Sequence, residues 1–466
     1  MLGRKMRIET IKKVVCEEYN YENFQDNQPV VSVLCYTYNH ADYMRECLNG
    51  ILMQDVDFAY EVVLFDDAST DGTSDIIREY CEKYPRIMHA FIGTENTYTD
   101  PRRPEFDMFL REKYLRGKYV AFCECDDYWS DKNKLKTQVH YLQAHPECSL
   151  TLHNAYRLNM QNNTKNLMKE ESADQELTAL DIIMQNDGMW PTASMVGRKE
   201  VFIESSVLYT CYVQDWPMQL YADAKGSIYY FNRPMCVYRY FVEGSWSSRT
   251  YGSSLTRTAY VFDMFEMFKR YDVFTDHKYK NIIKARMGVL WSSIVDLLQL
   301  PDESFEELYQ MISQKQGYNF SYQPYIKSMQ EMRNRCKGNL EKSDLPDNKE
   351  VVTDFYKNKT VMVFCASTAG KRIFHILENL KVDVAGFVDN DLSKKGKIFE
   401  GKTIYSRQDL EKMDLSQYVI QVASLDYDSQ ICSRLDEIKG CEYISAHHFY
   451  GRYFAEEVAN EEYKHV

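Results

Sequence analysis

Val120-Ala-Phe-Cys-Glu-Cys-Asp-Asp-Tyr-Trp129 is an apolar run that stops abruptly in three carboxylates, Glu124, Asp126 and Asp127. Tyr119 to Cys123 suits a buried strand, and carboxylates crowded at the end of such a strand repel one another and lose hydration. A bound cation offsets that cost, and hard divalent ions such as Mg²⁺ or Mn²⁺ prefer oxygen ligands. The stretch therefore reads as a metal site facing a phosphate-bearing substrate. A solvated acidic loop is the alternative.

Working outward, the same grammar recurs upstream. Val30-Val-Ser-Val-Leu-Cys-Tyr suits a buried parallel strand, and Thr37-Tyr38-Asn39-His40 a turn. Met44, Leu48, Ile51 and Leu52 then repeat at helical spacing. A second strand, Tyr60 to Phe65, runs into Asp66-Asp67, followed by a turn and a helix through Tyr80. His89 to Ile92 reads as the third strand, Tyr119 to Cys123 as the fourth, and Leu135, Val139 and Leu142 as a helical face after it. Alternating strands and helices predict a mainly parallel α/β sheet covered on both sides. Ligands of such sheets bind beyond the carboxyl ends of the strands, where Tyr38-Asn39, Asp66-Asp67 and the acidic motif all fall.

The rest of the chain extends this plan. Residues 1–28 are polar and read as an extension with a helix over Ile8 to Tyr19. Ser227 to Phe231 and Met235 to Tyr240 read as short strands, and Thr256 to Asn339 as helical, for example Val261 to Tyr271 and Asn281 to Leu298. The expected domains are 29–255, a helical segment 256–340, a polar linker 341–358 and a second strand-helix-strand unit over 359–466. At 466 residues the chain exceeds one ordinary core. A net charge of −13 argues against a nucleic-acid backbone or anionic membrane face as partner. The 13 cysteines lack paired zinc spacing and read as free thiols in a reducing cytoplasm. No stretch approaches the roughly 20 apolar residues of a membrane span, and no signal-peptide core is present, so a cytoplasmic protein, at most peripherally attached to membrane, is expected.

The residues from Val31 to Asn39, Cys47 to Gln54, Glu61 to Thr73 and Gly117 to Trp129 resemble, in order and spacing, the inverting family 2 nucleotide-sugar glycosyltransferases with the GT-A fold. The resemblance covers roughly residues 30 to 250. It implies a nucleoside diphosphate sugar donor, expected to be a UDP-sugar, and a saccharide or lipid-linked saccharide acceptor, in a setting of bacterial surface-polysaccharide synthesis. Physically, a carboxylate of Asp66-Asp67 can accept from a uracil N–H, and Tyr38 can stack on the base, with Asn39 beside it. The resemblance gives the base contact to Asp67 and leaves Asp66 to orient the turn, while Ser69 and Asp71 offer turn and cap chemistry of their own. It further implies Mg²⁺ or Mn²⁺ at Asp126 and Asp127, Glu124 binding through water or holding ribose, and Asp215 of Gln-Asp-Trp-Pro as the catalytic base. The bland reading of Asp215 is a cap on the following helix.

Trp190 is expected on the acceptor side, or in the core. Arg239, in Val237 to Ser247, is expected to meet the diphosphate or else to brace the sheet. Phe241 stands where many relatives have His. The basic pair Arg102-Arg103 reads as solvated charge. The Gln-x-x-Arg-Trp motif of processive synthases is absent, which favours single additions. Thr360 to Asp391 resembles small Rossmann-like domains, but its three fingerprint positions read Cys365, Ser367 and Gly370, with one glycine retained and Asp389 near the place of a ribose-binding acid. Docking or homo-oligomerisation is the expected role of that domain. The rival readings of the whole chain are a sugar-phosphate nucleotidyltransferase, for which the lysine-bearing glycine loop is missing, and a non-catalytic nucleotide- or sugar-binding scaffold.

Overall fold

The computed structural model describes residues 4–7, 15–20, 28–98, 103–169, 173–185, 190–210, 215–294, 297, 300–315, 317, 319–338, 353–424, 428–446 and 448–449. The chain divides into two compact units, Met1–Ile182 with Met189–Gly252, and Ile183–Gly188 with Ser253–Val466.

The first unit is built on a 12-stranded sheet. Its strands are β1 (Arg4–Arg7), β2 (Val15–Tyr19), β3 (Val31–Thr37), β4 (Tyr60–Asp66), β5 (Met88–Gly93), β6 (Tyr119–Phe122), β7 (Tyr128–Trp129), β8 (Cys148–Asn159), β9 (Thr164–Leu167), β10 (Gln175–Leu177), β11 (Val196–Arg198) and β12 (Ser227–Tyr240). The order is β1-β2-β5-β4-β3-β6-β11-β8-β12-β10, with β7 on β12 and β9 on β8. β5, β4, β3 and β6 are mutually parallel, as the apolar runs predict. Their side chains are buried on both faces, Val31, Val33, Val62, Leu64 and Ala121 being fully so. Helices α1 (Ala41–Leu52), α2 (Thr73–Lys83), α3 (Arg103–Tyr114) and α4 (Lys134–Ala144) are the crossovers. This brings the carboxyl ends of β3, β4 and β6 together.

Two expectations are corrected. The helix expected over Ile8 to Tyr19 is replaced, where the chain is described, by β2, which pairs antiparallel with β5; residues 8–14 lie outside the described residues. Pairing overrides local propensity here, since Glu18 reaches His89 across the two strands at 2.9 Å with both side chains buried. The two short strands expected over Ser227 to Tyr240 are one strand, parallel to β8, with a register shift between Phe231 and Cys236. Pro234 lies in that interval, and without an N–H it interrupts the ladder locally and does not end the strand.

In the second unit, helices Ser254–Phe274, Lys280–Ser292, Asp302–Ser313 and Gln323–Gly338 bear out the helical reading, although the second is shorter than expected. Phe262 stacks on Tyr325 at 5.4 Å, and Tyr322 donates to Asp263 at 2.8 Å. Most of the expected linker lies outside the described residues. A 6-stranded sheet follows: β13 (Thr360–Phe364), β14 (Val384–Asp389), β15 (Ile398–Phe399), β16 (Lys402–Ser406), β17 (Tyr418–Val422) and β18 (Tyr443–Ile444), ordered β15-β16-β14-β13-β17-β18. All its pairs are parallel except β15 with β16.

Candidate active site at the carboxyl ends of the strands

Beyond β3 the chain turns sharply, with Asn39 at φ 56°, and presents Tyr38 with 43% of its surface exposed. This loop is laced to the one after β4. Ser69 Oγ accepts from Asn39 N at 2.8 Å, and Asn39 Oδ1 accepts from Thr70 N at 2.8 Å. Asp71 Oδ2 accepts from Ala41 N at the start of α1, while its Oδ1 accepts from Thr73 N. The cap chemistry of Asp71 therefore serves two helices.

Asp66 and Asp67 part company. Asp66 is fully buried, accepting from Ser69 N, Ser69 Oγ and Ser74 Oγ. Its oxygens hold the turn, the orienting role expected of it. Asp67 Oδ1 accepts from Thr97 N at 2.8 Å and Thr97 Oγ1 at 2.6 Å, and Oδ2 pairs with Arg103 at 2.9 Å. Arg103 is no solvated charge. It is nine-tenths buried, pairs also with Asp107 at 2.8 Å, and lies 4.9 Å from the Phe65 ring centroid. Arg102 lies outside the described residues.

Past β6, one ligand oxygen from each of Glu124, Asp126 and Asp127 lies within 4.8 Å of the others. Glu124 is exposed, and its carboxyl is raised by lost hydration, then by the charges of Asp126 and Asp215. Asp127 is buried and held well above the usual carboxylate range by desolvation and by Asp126. Its Oδ1 accepts from Arg239 N at 2.8 Å, whereas its buried Oδ2 has no hydrogen-bond partner among the described residues. An orphaned buried oxygen in a cluster of three like charges fits a hard divalent cation.

Asp215 opens the helix Asp215–Lys225, is largely buried, and accepts from Trp216 N through Oδ1 at 2.8 Å. Burial raises it to about 6, and its charge acts on Glu124.

Two other candidates sit deeper than expected. Trp190 is 6% exposed, with Lys169 Nζ 4.7 Å from its ring centroid, which leaves little face for a sugar. Arg239 is 5% exposed and bound to Glu46 and to the Asp126 carbonyl, so it braces the acidic turn. Phe241 adopts φ 62°, and its N–H donates to Ser247 Oγ at 3.2 Å. Glu46 and Gln54 are positions that sequence reasoning did not single out. Gln54 Oε1 accepts from Leu135 N, and its Nε2 donates to Asp131 O, tying α1 to the start of α4.

In the C-terminal domain a cavity of about 290 Å³ lies at the ends of β13, β14 and β17, lined among others by Cys365, Asp389, Asn390 and Arg434. Cys365 takes φ 106°, and a Cβ on Gly370 would come within 1.8 Å of Cys365 O, which accounts for the one retained glycine. Asp389 Oδ2 accepts from Ala366 N at 2.9 Å and from Lys394 Nζ at 2.8 Å. The acid expected near a ribose therefore pins the turn.

A mixed α/β sheet with a central block of four parallel strands, β5, β4, β3 and β6, and acidic residues beyond the last of them is the arrangement expected of a GT-A domain. Residues 32–94 match the family described as Glycosyl transferase family 2. Residues 357–443 match a family described as C2185-like, N-terminal. An uncharacterized protein of Mycobacterium tuberculosis is 31% identical over 218 residues, covering 47% of this chain; the chain spans 61% of that relative's length. The putative teichuronic acid biosynthesis glycosyltransferase TuaG of Bacillus subtilis is 35% identical over 118 residues, 25% of this chain and 42% of that protein. Among solved structures, S. aureus TarS 1–349 in complex with UDP aligns at 17% identity and TM-score 0.45, covering 68% of this chain and 94% of that one. No helix among the described residues is long and apolar enough to cross a membrane.

Proposed function

We propose that the chain is an inverting glycosyltransferase that moves a sugar from a nucleoside diphosphate sugar, of the UDP class, onto a saccharide or lipid-linked saccharide acceptor. The observation that carries this is the acidic cluster with a buried, orphaned Asp127 oxygen, electrostatically coupled through Glu124 to Asp215. The GT-A domain and a relative named for teichuronic acid biosynthesis support a role in bacterial surface-polysaccharide assembly. A cytoplasmic location belongs to the same proposal.

Tyr38 stacks on the base, and Asp67, paired with Arg103, accepts an N–H from it. Asp126 and Asp127, with Glu124 beside them, would hold Mg²⁺ or Mn²⁺, which would supply positive charge against the leaving diphosphate. Asp215 takes the proton of the acceptor hydroxyl as its oxygen forms the bond to the anomeric carbon and the bond to the diphosphate breaks on the opposite face. A base with a pKa near 6 is largely ionised at neutral pH yet retains proton affinity.

Purified protein incubated with Mn²⁺, a mixed saccharide acceptor pool and a panel of nucleotide sugars should release nucleoside diphosphate from one donor. Asp215→Asn should cut that release by about 10² to 10⁴. Undiminished release from the variant places the base elsewhere, and absence of both donor binding and release across the panel overturns the transferase reading.

A further inference from the structure

Arg239 makes an unusual set of contacts for a residue expected to greet a diphosphate. Its backbone N–H donates to Asp127 Oδ1 at 2.8 Å, and its Nη1 donates to the Asp126 carbonyl at 2.5 Å. Its Nη2 pairs with Glu46 from α1. The guanidinium lies 4.9 Å from the Tyr43 ring centroid and 4.7 Å from that of Tyr128. One residue of β12 thus holds two consecutive residues of the acidic turn, and a carboxylate on α1 holds that residue.

We propose that Arg239, anchored by Glu46, is a positioning residue that fixes the acidic turn and so sets how tightly a divalent cation binds there. The inference rests on reading Glu124, Asp126 and Asp127 as the cation site. Three carboxyl groups within 4.8 Å repel one another as they ionise, which works against the turn unless something holds its backbone. The Arg239 guanidinium does this by gripping the carbonyl between the two candidate ligands. Its backbone N–H fixes the rotamer of Asp127, which leaves Oδ2 as the oxygen to offer. A planar fork that donates in two directions while lying on aromatic faces is a task for arginine and not for lysine. At 5% exposure, with both terminal nitrogens committed, it is built into the protein and not presented to a ligand. The turn has independent backbone support, because Trp129 and Tyr128 pair with Cys236 and Val237, and Ser130 N donates to Met235 O. Loss of the guanidinium therefore loosens ligand geometry without removing the strand pairing. Groups that orient metal ligands typically change affinity by about 10- to 100-fold when replaced.

The test is direct Mn²⁺ binding to the full chain, read from the electron paramagnetic resonance signal of free Mn²⁺, with no sugar donor present. Wild type is compared with Arg239→Gln, Arg239→Lys and Glu46→Gln, with circular dichroism melting curves alongside. Arg239→Gln should weaken the Mn²⁺ Kd by about 10- to 100-fold, with Arg239→Lys recovering part of the loss. Glu46→Gln should weaken it by a smaller factor while melting as wild type does, since the Glu46 side chain is half exposed. Wild-type Mn²⁺ affinity in folded Arg239→Gln overturns the inference. Should that variant fail to fold, wild-type affinity in Glu46→Gln overturns it equally. A wild-type protein that binds no Mn²⁺ removes the cation site itself, and this inference with it. Mn²⁺ binding weakened in these variants upholds the inference even where no donor is turned over, which separates its fate from that of the transferase reading.

Discussion

Asp215 owes its chemistry to where it is buried more than to what surrounds it in sequence. Lost hydration raises it to about 6, partly opposed by the Trp216 N–H. In the mechanism proposed above the deprotonated form is the base, so protonation should remove activity. The rate at low donor concentration should accordingly fall about tenfold per pH unit below pH 6 and level off above it. A pH profile with its acidic inflexion near 4, the ordinary carboxylate value, would remove Asp215 from that role. At this scale the sequence was informative about residues that carry charge beyond a strand end, such as Asp67 and Asp126. It was silent on residues that act through another residue far along the chain. Arg103 reads as one of two exposed basic residues until Asp67, on another element, is seen against it. Glu46 reads as an ordinary helical glutamate until its partner on β12 arrives.

Among the elements, α1 shows how a helix can shape a site it does not enter. Gly50 lies against the backbone of β7, and a Cβ there would come within 2.5 Å of Trp129 O. Both partners are backbone, so relief requires the helix or the acidic turn to move. Gly50→Ala should therefore destabilise the protein by about 1–3 kcal/mol, read from urea unfolding, although alanine favours a free helix. A variant as stable as wild type would show that α1 can withdraw without cost. The central strands were legible because burial on both faces demands uninterrupted apolar runs, as in β3 and β4. β2 was not, because Val-Cys-Glu-Glu-Tyr has no such run, and only its pairing partner makes it a strand. β12 was read as two pieces because a proline within a ladder looks locally like an end.

For the whole molecule, the alternation of strands and helices predicted both α/β sheets, and the helical stretch before the second sheet follows from its composition. Division of labour within the C-terminal domain was less accessible. The positions of Cys365, Gly370 and Asp389 suggest a nucleotide turn in sequence, yet in space the acid and the glycine close that turn on itself. β2 covers β5, a fully buried strand that would otherwise be an open rim of unpaired backbone groups. The outermost strand, β1, reads Arg-Lys-Met-Arg, a charged border that discourages other chains from adding on. A shortened protein that starts at Gln28 should therefore self-associate at concentrations where the full chain stays dispersed, which light scattering would detect. Equal scattering from the two would mean that β5 tolerates an open flank. The stretch that looks most dispensable in the sequence is then the part that keeps the molecule a good neighbour in a crowded cell.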